Sequence, residues 1–445
     1  MRKFRSFLFV MGWIGWAAVS LYSDAATIDQ PYRQAAMGAA RWIETNNLQT
    51  KQGIVWAADP GDPKSVNTTL YAGTPGPILF FLEAYRYTGN RAFLKEGRRG
   101  ADALLASLSQ KDEAGLYEGL AGSGFTLGEA YLITDDARYR TGALECVRWI
   151  EENAQKTSDG VKWNDVTDII GGSSGTGLFL LWSADHLHAA GAKEMAARAG
   201  DHLMAVGQHE PNGGLKWMMD PTFPREMPNF SHGTAGVAYF LAALYRATGR
   251  KKYLDAALAG ANYLLSISDV SDRYCMIYHD SQNKSLYYLG WCHGPAGTAR
   301  LFYLLYQDTH DPRWMALVKK CAEAIVANGG PEKVVIPGVW HNVSVCCGIT
   351  SEAQFFYDMY LLTHNRKWLA EATEASNELL RLSDANGGGS RWVQVETRVQ
   401  PDIAVAQTGY MQGASGIGMW LLHFSASLSG KRLPVVTFPD NPFPY

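Results

Sequence analysis

Three cysteines in two glycine-rich stretches are the residues best suited to chemistry. Cys292 lies in Gly-Trp-Cys-His-Gly-Pro-Ala-Gly, and Cys346 and Cys347 lie in Ser-Val-Cys-Cys-Gly-Ile-Thr. Each stretch runs into an apolar segment and is predicted to open a helix, whose N-terminal N–H groups and partial positive charge favour a nearby thiolate. The three thiolates predict one zinc site with a fourth coordination position left open. Cys346 and Cys347 are adjacent, so as a pair they could form only a strained disulfide.

The two stretches resemble the zinc motifs of the lanthionine synthetase C-like (LanC-like) family. Trp291-Cys292-His293-Gly294 matches the family's Trp-Cys-x-Gly closely. The second motif is Cys-His-Gly in most of the family, and here Cys347 stands in the place of its histidine. Cys-Cys-Gly variants occur in part of the family, and the resemblance then implies zinc held by Cys292, Cys346 and Cys347.

The resemblance also implies an activity. In this family a thiol at the open zinc position adds to dehydroalanine or dehydrobutyrine in a peptide and forms a thioether. His232, in Ser-His-Gly-Thr-Ala-Gly, matches the family's His-Gly motif and is the expected proton donor, and Asp168 matches an aspartate that orients it. His293 is expected to line the pocket. Some bacterial cyclases carry an arginine where this chain has Tyr288, so that route to enolate stabilisation is absent here.

Taken without the resemblance, the same residues have plainer interpretations. His232 alone would be a hydrogen-bonding residue at a helix start, and Asp168 alone a loop or capping residue. His279 with Asp280 is interpreted as surface structure. Cys146 and Cys321 lie in apolar helical patterns and are expected to be buried thiols without a chemical task.

The elements that must position these residues form a repeat. Gly-rich helix starts, which we call mouths, recur seven times at intervals of about 45 to 65 residues, a spacing typical of stacked supersecondary units. The mouths begin at Gly73, Gly119, Gly172, Gly233, Gly294, Gly348 and Gly413. After most mouths comes a strongly apolar helix, then a short polar turn, then an amphipathic helix. A helix that is apolar all round is buried, and an amphipathic one faces water on one side.

This pattern predicts an all-α fold, an α/α toroid in which seven inner helices are surrounded by seven outer ones. An early outer helix at residues 32–47 would pair with the last inner helix and close the circle. All seven mouths would then gather at one end, together with Gly-rich loops that carry an aromatic residue, and a ligand cavity is expected there. The LanC-like resemblance implies the same toroid and covers nearly the whole chain after residue 25.

Composition and the N-terminus bear on partners and location. The net charge of −3 and the pI near 6.4 give no indication of a nucleic-acid partner. Residues 1–25 have a basic start, an apolar stretch at 7–21 and small residues before Ala26, which is typical of a secretory signal peptide. We therefore expect one toroid domain over residues 26–445, export, a peptide or small-thiol substrate, and no membrane span once the signal is removed. The sequence leaves the oligomeric state open.

Two other classes of protein remain open at this stage. An exported glycan-active enzyme would use a pair of carboxylates in an aromatic-lined cavity. Its candidates near the loop end are Asp165, Asp168, Asp220 and Asp402. A non-catalytic zinc- or peptide-binding module would keep the scaffold and lose the proton donor, yet His232 is present.

Overall fold

The computed structural model describes residues 28–331, 338–385, 389–431 and 434–444. The predicted signal peptide, residues 1–25, lies outside them. The described residues contain fourteen α-helices. In chain order these are α1 (Gln30–Thr45), α2 (Pro75–Thr88), α3 (Arg91–Ser107), α4 (Leu120–Thr134), α5 (Ala137–Glu152), α6 (Ser173–His186), α7 (Ala192–Val206), α8 (Thr234–Thr248), α9 (Lys251–Ile267), α10 (Pro295–Thr309), α11 (Pro312–Ala327), α12 (Ile349–Thr363), α13 (Arg366–Arg381) and α14 (Ala414–Leu428).

The predicted toroid is confirmed. The even-numbered helices form the inner ring, in which each contacts the next and α14 contacts α2. Each odd-numbered helix packs outside, and α1 pairs with α14, so the first outer helix closes the circle as expected. Its bounds, Gln30–Thr45, lie two residues before the predicted 32–47.

Burial separates the two rings as their sequences predict. In the inner helix α8 the first nine residues are all buried. The outer helix α13 instead buries Trp368, Ala372, Ala375, Ser376 and Leu379. That spacing of three and four residues marks one face of a helix, and the opposite face meets solvent.

Four of the six polar turns that connect an inner helix to the next outer helix share one chemistry. At the end of α12, His364 adopts a left-handed conformation with φ of 54°, and the next residue, Asn365, caps α13 by accepting from the N–H of Lys367 at 3.0 Å. Gly89 and Asn90 do the same between α2 and α3. A left-handed residue ends one helix and an Asn or Asp side chain starts the next, which reverses the chain within two residues.

The strands are short and form two-stranded pairs within the described residues. They are β1 (Asn47–Gln49), β2 (Ile54–Trp56), β3 (Gln155–Lys156), β4 (Val161–Lys162), β5 (Gln208–His209), β6 (Leu215–Lys216), β7 (Asp269–Val270), β8 (Cys275–Met276), β9 (Tyr287–Tyr288), β10 (Val339–Trp340), β11 (Val393–Val395) and β12 (Ala404–Ala406). Five pairs are antiparallel, and β9 pairs with β10 in parallel, Tyr288 opposite Trp340. A single 3₁₀ turn spans Pro63–Ser65.

A closed circle of backbone hydrogen bonds ties the seven mouths together. Each mouth donates an N–H to a carbonyl of the next, at 2.9 to 3.2 Å, and the last bond returns from Met411 to Tyr71. The linked residues are, in order, Tyr71, Tyr117, Ile169 with Ile170, Ser231, Cys292, Cys346 and Met411. The mouths therefore form one continuous rim, and residues far apart in sequence meet there.

Candidate metal centre and active site

The three predicted metal-ligating cysteines lie together at the rim. The Cys292 Sγ is 3.2 Å from the Cys347 Sγ, which is 3.4 Å from the Cys346 Sγ, and all three sulfur atoms lie within 4.8 Å of one another. In a tetrahedral site with Zn–S bonds of about 2.3 Å the sulfur atoms are about 3.8 Å apart. The three thiols are buried and present one donor atom each. Their spacing and chemistry fit a zinc ion held on one side.

The position of each residue relative to its mouth explains why these side chains meet. Cys292 and Cys346 stand two residues before the first glycine of their mouths, and the backbone N–H of Cys292 donates to the carbonyl of Cys346 at 2.9 Å. His232, His293 and Cys347 stand one residue before theirs. Because the mouths form one rim, side chains at these two positions converge on a common centre.

The rim adds two residues that the sequence analysis missed. Tyr71 donates from its hydroxyl to the Cys346 Sγ at 3.3 Å, and Gln412 donates to the Tyr71 oxygen at 2.8 Å. Hydrogen bonds from the Cys292 and Cys347 thiols, together with that from Tyr71, lower the pKa of Cys346 well below its usual value although burial opposes this. Cys346 is therefore the cysteine that most readily carries negative charge.

Asp168 and His232 form a fixed pair beside the cysteines. Asp168 is 2% exposed, and its Oδ1 accepts the N–H groups of Gly171 and Gly172, both at 2.9 Å. The other carboxylate oxygen, Oδ2, lies 2.6 Å from the His232 Nδ1. A carboxylate accepts, so Nδ1 donates, and Nε2 is left as the ring nitrogen for the cavity. The third mouth thus holds the carboxylate, and the carboxylate holds the imidazole.

The charge of Asp168 governs the protonation of His232. Burial alone would lower the pKa of this histidine, but the hydrogen bond and charge of Asp168, with smaller contributions from Cys346 and Glu118, raise it above the usual value. The His232 side chain remains 28% exposed. The imidazolium form is therefore retained to higher pH than usual at a position that a substrate can reach.

A row of neighbouring rings, tilted relative to one another, forms the wall next to this pair. His293 lies with its ring centre 5.5 Å from that of His232 and 4.4 Å from that of His279. Burial lowers the pKa of His293 well below its usual range, so it is neutral at pH 7.

His279 and Asp280 are both buried and share a 2.8 Å hydrogen bond. The interpretation of His279 with Asp280 as surface structure is therefore wrong. The chain between β8 and β9 folds back so that His279 lines the cavity.

These residues line a cavity of about 450 Å³ at the rim. The sulfur side of the cavity is formed by Cys292, Cys346 and Cys347, and His232 and His293 lie beside it. Further ionisable and aromatic groups close the walls, and of these the sequence analysis named Tyr288 alone. They are Glu118, Arg225, Tyr288, Trp340, Glu396 and Arg398. A substrate inside the cavity would meet thiols, imidazoles and two arginines at once.

With the geometry in place, the family is decided by a sequence match over most of the chain. The family model described as "Lanthionine synthetase C-like protein" matches residues 64–434. The chain belongs to this family. No protein with a curated description matches it by sequence.

Solved structures share the LanC-like fold. Nisin cyclase is 17% identical, with a TM-score of 0.61 over 92% of this chain and 94% of that one. A GH76 alpha-mannanase of Bacteroides thetaiotaomicron is 11% identical, with a TM-score of 0.50 over 89% of this chain and 96% of that one. At these identities the likeness establishes the toroid and leaves the chemistry to the residues of the site.

The carboxylates considered for a glycan-active enzyme do not gather in the cavity of this LanC-like chain. Asp165 pairs with Lys162, and Asp220 binds the hydroxyl of Thr222. None of the four aspartates lines the cavity. Asp168 comes nearest, but it is buried behind His232. The two carboxylates that do line it are Glu118 and Glu396.

The loop tryptophans also serve the scaffold more than the cavity. Trp217 donates from its indole to the carbonyl of Leu203 on the preceding outer helix at 2.7 Å, and Trp56, Trp163 and Trp392 make the equivalent bond. These four are buried and fasten the hairpins to the outer ring. A further tryptophan of these loops, Trp340, lines the cavity instead.

A second cavity, of about 480 Å³, lies near the C-terminal ends of the inner helices and carries no comparable chemistry. Its buried acid, Glu83, is already engaged by His423 at 2.7 Å and by the backbone N–H of Val436 at 2.6 Å. The cysteines are at the other end of the ring. Within the described residues, no helix is both long and apolar enough to cross a membrane.

Proposed function

We propose that this protein is a zinc-dependent enzyme that adds a thiol to a dehydroamino acid in a peptide and forms a thioether. The observation that carries the proposal is that three buried thiols and His232, which is held by Asp168, line one cavity. Membership of the LanC-like family supports it. The substrate class we infer is a peptide that carries dehydroalanine or dehydrobutyrine, with a peptide cysteine or a small thiol as its partner.

Cys292, Cys346 and Cys347 would hold the zinc. When bound, a zinc ion supplies Lewis acidity that lowers the pKa of a thiol and keeps its sulfur nucleophilic near neutral pH. The protein's own part would be to hold the three thiolates together on one side of the cavity. Tyr71, ordered by Gln412, stabilises the negative charge of Cys346 by its hydrogen bond.

His232 is the residue we assign to proton transfer. The thiol gives up its proton, its sulfur bonds to the β-carbon of the alkene, and the π electrons move to the α-carbon and its carbonyl. The imidazolium of His232 then donates a proton from Nε2 to the α-carbon, and the proton that the thiol released returns His232 to its charged form. Asp168 keeps His232 in the required tautomer and favours its charged form. His293, held neutral by burial, lines the wall between His232 and His279.

We further propose that the enzyme is exported and that residues 1–25 are its signal peptide. The basic start, the apolar stretch and the small residues before Ala26 support this. Fractionation of cells that express the full chain tests it, and N-terminal sequencing of the exported protein should begin near Ala26. Protein that keeps residue 1 and stays in the cytoplasm would contradict export.

The activity is tested by offering the purified, zinc-loaded protein two substrate classes. With a dehydroalanine peptide and a small thiol we expect a mass increase equal to that of the added thiol. With a panel of polysaccharides, including an α-mannan, we expect no new reducing ends. Glycan cleavage that survives zinc removal and is abolished by Glu118→Gln would favour the glycan-active alternative. Zinc binding without either reaction would favour a non-catalytic module.

A further inference from the structure

The C-terminal tail, residues 434–444, fills the centre of the inner ring. Phe438 stacks on Tyr410 of the seventh mouth with ring centres 4.3 Å apart, and Phe443 stacks on Tyr303 of α10 at 5.0 Å. Phe438 also contacts Phe125 of α4, on another part of the ring. A segment that touches helices around the whole ring must lie in its bore. The family model ends at residue 434, where this tail begins.

Asp440 is the polar centre of the tail. It is fully buried, and its carboxylate accepts hydrogen bonds from the Trp291 indole at 2.9 Å, the Tyr117 hydroxyl at 3.1 Å and the Arg300 guanidinium at 3.0 Å. A buried carboxylate is costly unless it is paired and fully hydrogen-bonded, and here each bond comes from a residue of the inner ring or its rim. The tail is therefore fixed to the ring by a specific polar contact as well as by its aromatic side chains.

One of these bonds leads directly to the metal centre. Trp291 directly precedes Cys292, and its backbone and its indole ring are held by different partners. The backbone N–H of Trp291 donates to the Ser351 hydroxyl at 3.0 Å, and its indole N–H donates to Asp440. The rings of Phe230 and Tyr117 lie against the indole at 5.8 and 5.3 Å. The orientation of Trp291, one residue before Cys292, is thus set from inside the bore.

We propose that Asp440 is a positioning residue for the metal centre, and that the C-terminal tail acts through Trp291 to hold Cys292 in place for zinc. The proposal rests on the zinc site of the proposed function. It adds a residue that lies outside the family model and touches no sulfur atom. Partners of this kind, which orient a ligand without touching the metal, typically change metal affinity by about 10- to 100-fold when they are removed.

The test is a zinc-affinity measurement by competition with a chromophoric chelator on the full chain. We expect Asp440→Asn to weaken zinc binding by about 10-fold or more. Phe443→Ala is the matched control, because it removes a buried tail contact that does not involve Trp291. It should lower the thermal midpoint and leave zinc affinity at the wild-type value. Trp291→Phe removes the indole N–H, so it should weaken zinc binding as well, and the double variant should lose less than the sum of the two effects.

The outcomes separate this inference from the proposed function. Wild-type protein that binds zinc while Asp440→Asn binds it equally well would overturn the inference alone. Equal losses in Asp440→Asn and Phe443→Ala would also overturn it, because the tail would then act only through overall stability. Wild-type protein that binds no zinc would overturn both proposals. If Asp440→Asn does not fold, Trp291→Phe decides, and unchanged zinc affinity in that variant counts against the inference.

Discussion

At the level of single residues, the orientation and the protonation of each side chain in the site depend on its hydrogen-bond partners. Asp168 is fixed by two backbone N–H groups of its own mouth before it meets His232, so the imidazole is oriented by a rigid partner. Cys346 receives hydrogen bonds that favour its charged form, whereas burial keeps His293 neutral. The pKa values of two histidines one position before neighbouring mouths are thus shifted in opposite directions, because only His232 has a carboxylate partner.

Asp168→Asn should lower the pKa of His232. The asparagine retains a carbonyl oxygen for the two glycine N–H groups but removes the charge that outweighs burial. NMR titration of the His232 ring measures this, and the midpoint should move to lower pH. Asp280→Asn is the matched control, since it changes a second His–Asp pair that does not touch His232. An unchanged His232 midpoint in Asp168→Asn would show that Asp168 does not govern its protonation.

The same pair has a consequence for stability. A histidine whose folded pKa is raised stabilises the protein fully below its unfolded pKa, and this contribution is lost as the pH rises through the folded pKa. The stability difference between wild type and Asp168→Asn should therefore shrink as the pH rises through the raised pKa of His232. Denaturant unfolding on either side of that pH measures it.

At the scale of elements, the mouths are built for close backbone contact. A β-carbon at Gly119 would lie 2.1 Å from the carbonyl oxygen of Glu113, and one at Gly297 would lie 1.8 Å from that of Trp291. In both cases the obstructing carbonyl is six residues back, so the same tight loop is repeated around the ring. Glycine is needed at these positions because two parts of the backbone approach too closely to leave room for a β-carbon. The role of the glycines is therefore structural, and nothing in it indicates a phosphate site.

Gly119→Ala should destabilise the protein by about 2 kcal/mol or more, because the new methyl group must displace backbone. This mouth carries no cysteine, so zinc content should stay at the wild-type level. Gly61→Ala is the control. Its nearest obstacle is the Asp59 side chain at 3.2 Å in an exposed turn, and the expected change is within about 0.5 kcal/mol. Denaturant unfolding that finds the two variants equally stable would contradict this account of the mouths.

At the scale of the whole molecule, the ring follows from two patterns that a sequence displays openly. Repeated glycines mark the mouths, and the alternation of apolar and amphipathic helices assigns each helix to a ring. The sequence also predicted that α1 closes the ring, because this early amphipathic helix has no inner helix before it and so must pair with the last one. Each conclusion rests on local residue patterns, which a reader of the sequence can see.

The parts that the sequence did not reveal depend on contacts between distant residues. Tyr71 reaches Cys346 across 275 positions, and Asp440 reaches Trp291 across 149. For Tyr71 a signal existed, since it stands two residues before its mouth glycine, the place that Cys292 and Cys346 occupy in theirs. The tail shows no periodic pattern of apolar residues, and His279 lies in the loop between β8 and β9. Neither could therefore be placed without the structure.

If one cavity holds a zinc site and a separate proton donor, the two functions must be separable by mutation. The direct test measures zinc per chain and the rate of thioether formation on a dehydroalanine peptide in reduced wild type, His232→Ala and Cys292→Ala. We predict one zinc for wild type and His232→Ala, with the rate of the latter lower by about 10²- to 10⁴-fold. Cys292→Ala should lose both zinc and activity. A Cys292→Ala protein that keeps its zinc and its rate, or a His232→Ala protein as fast as wild type, would contradict the account.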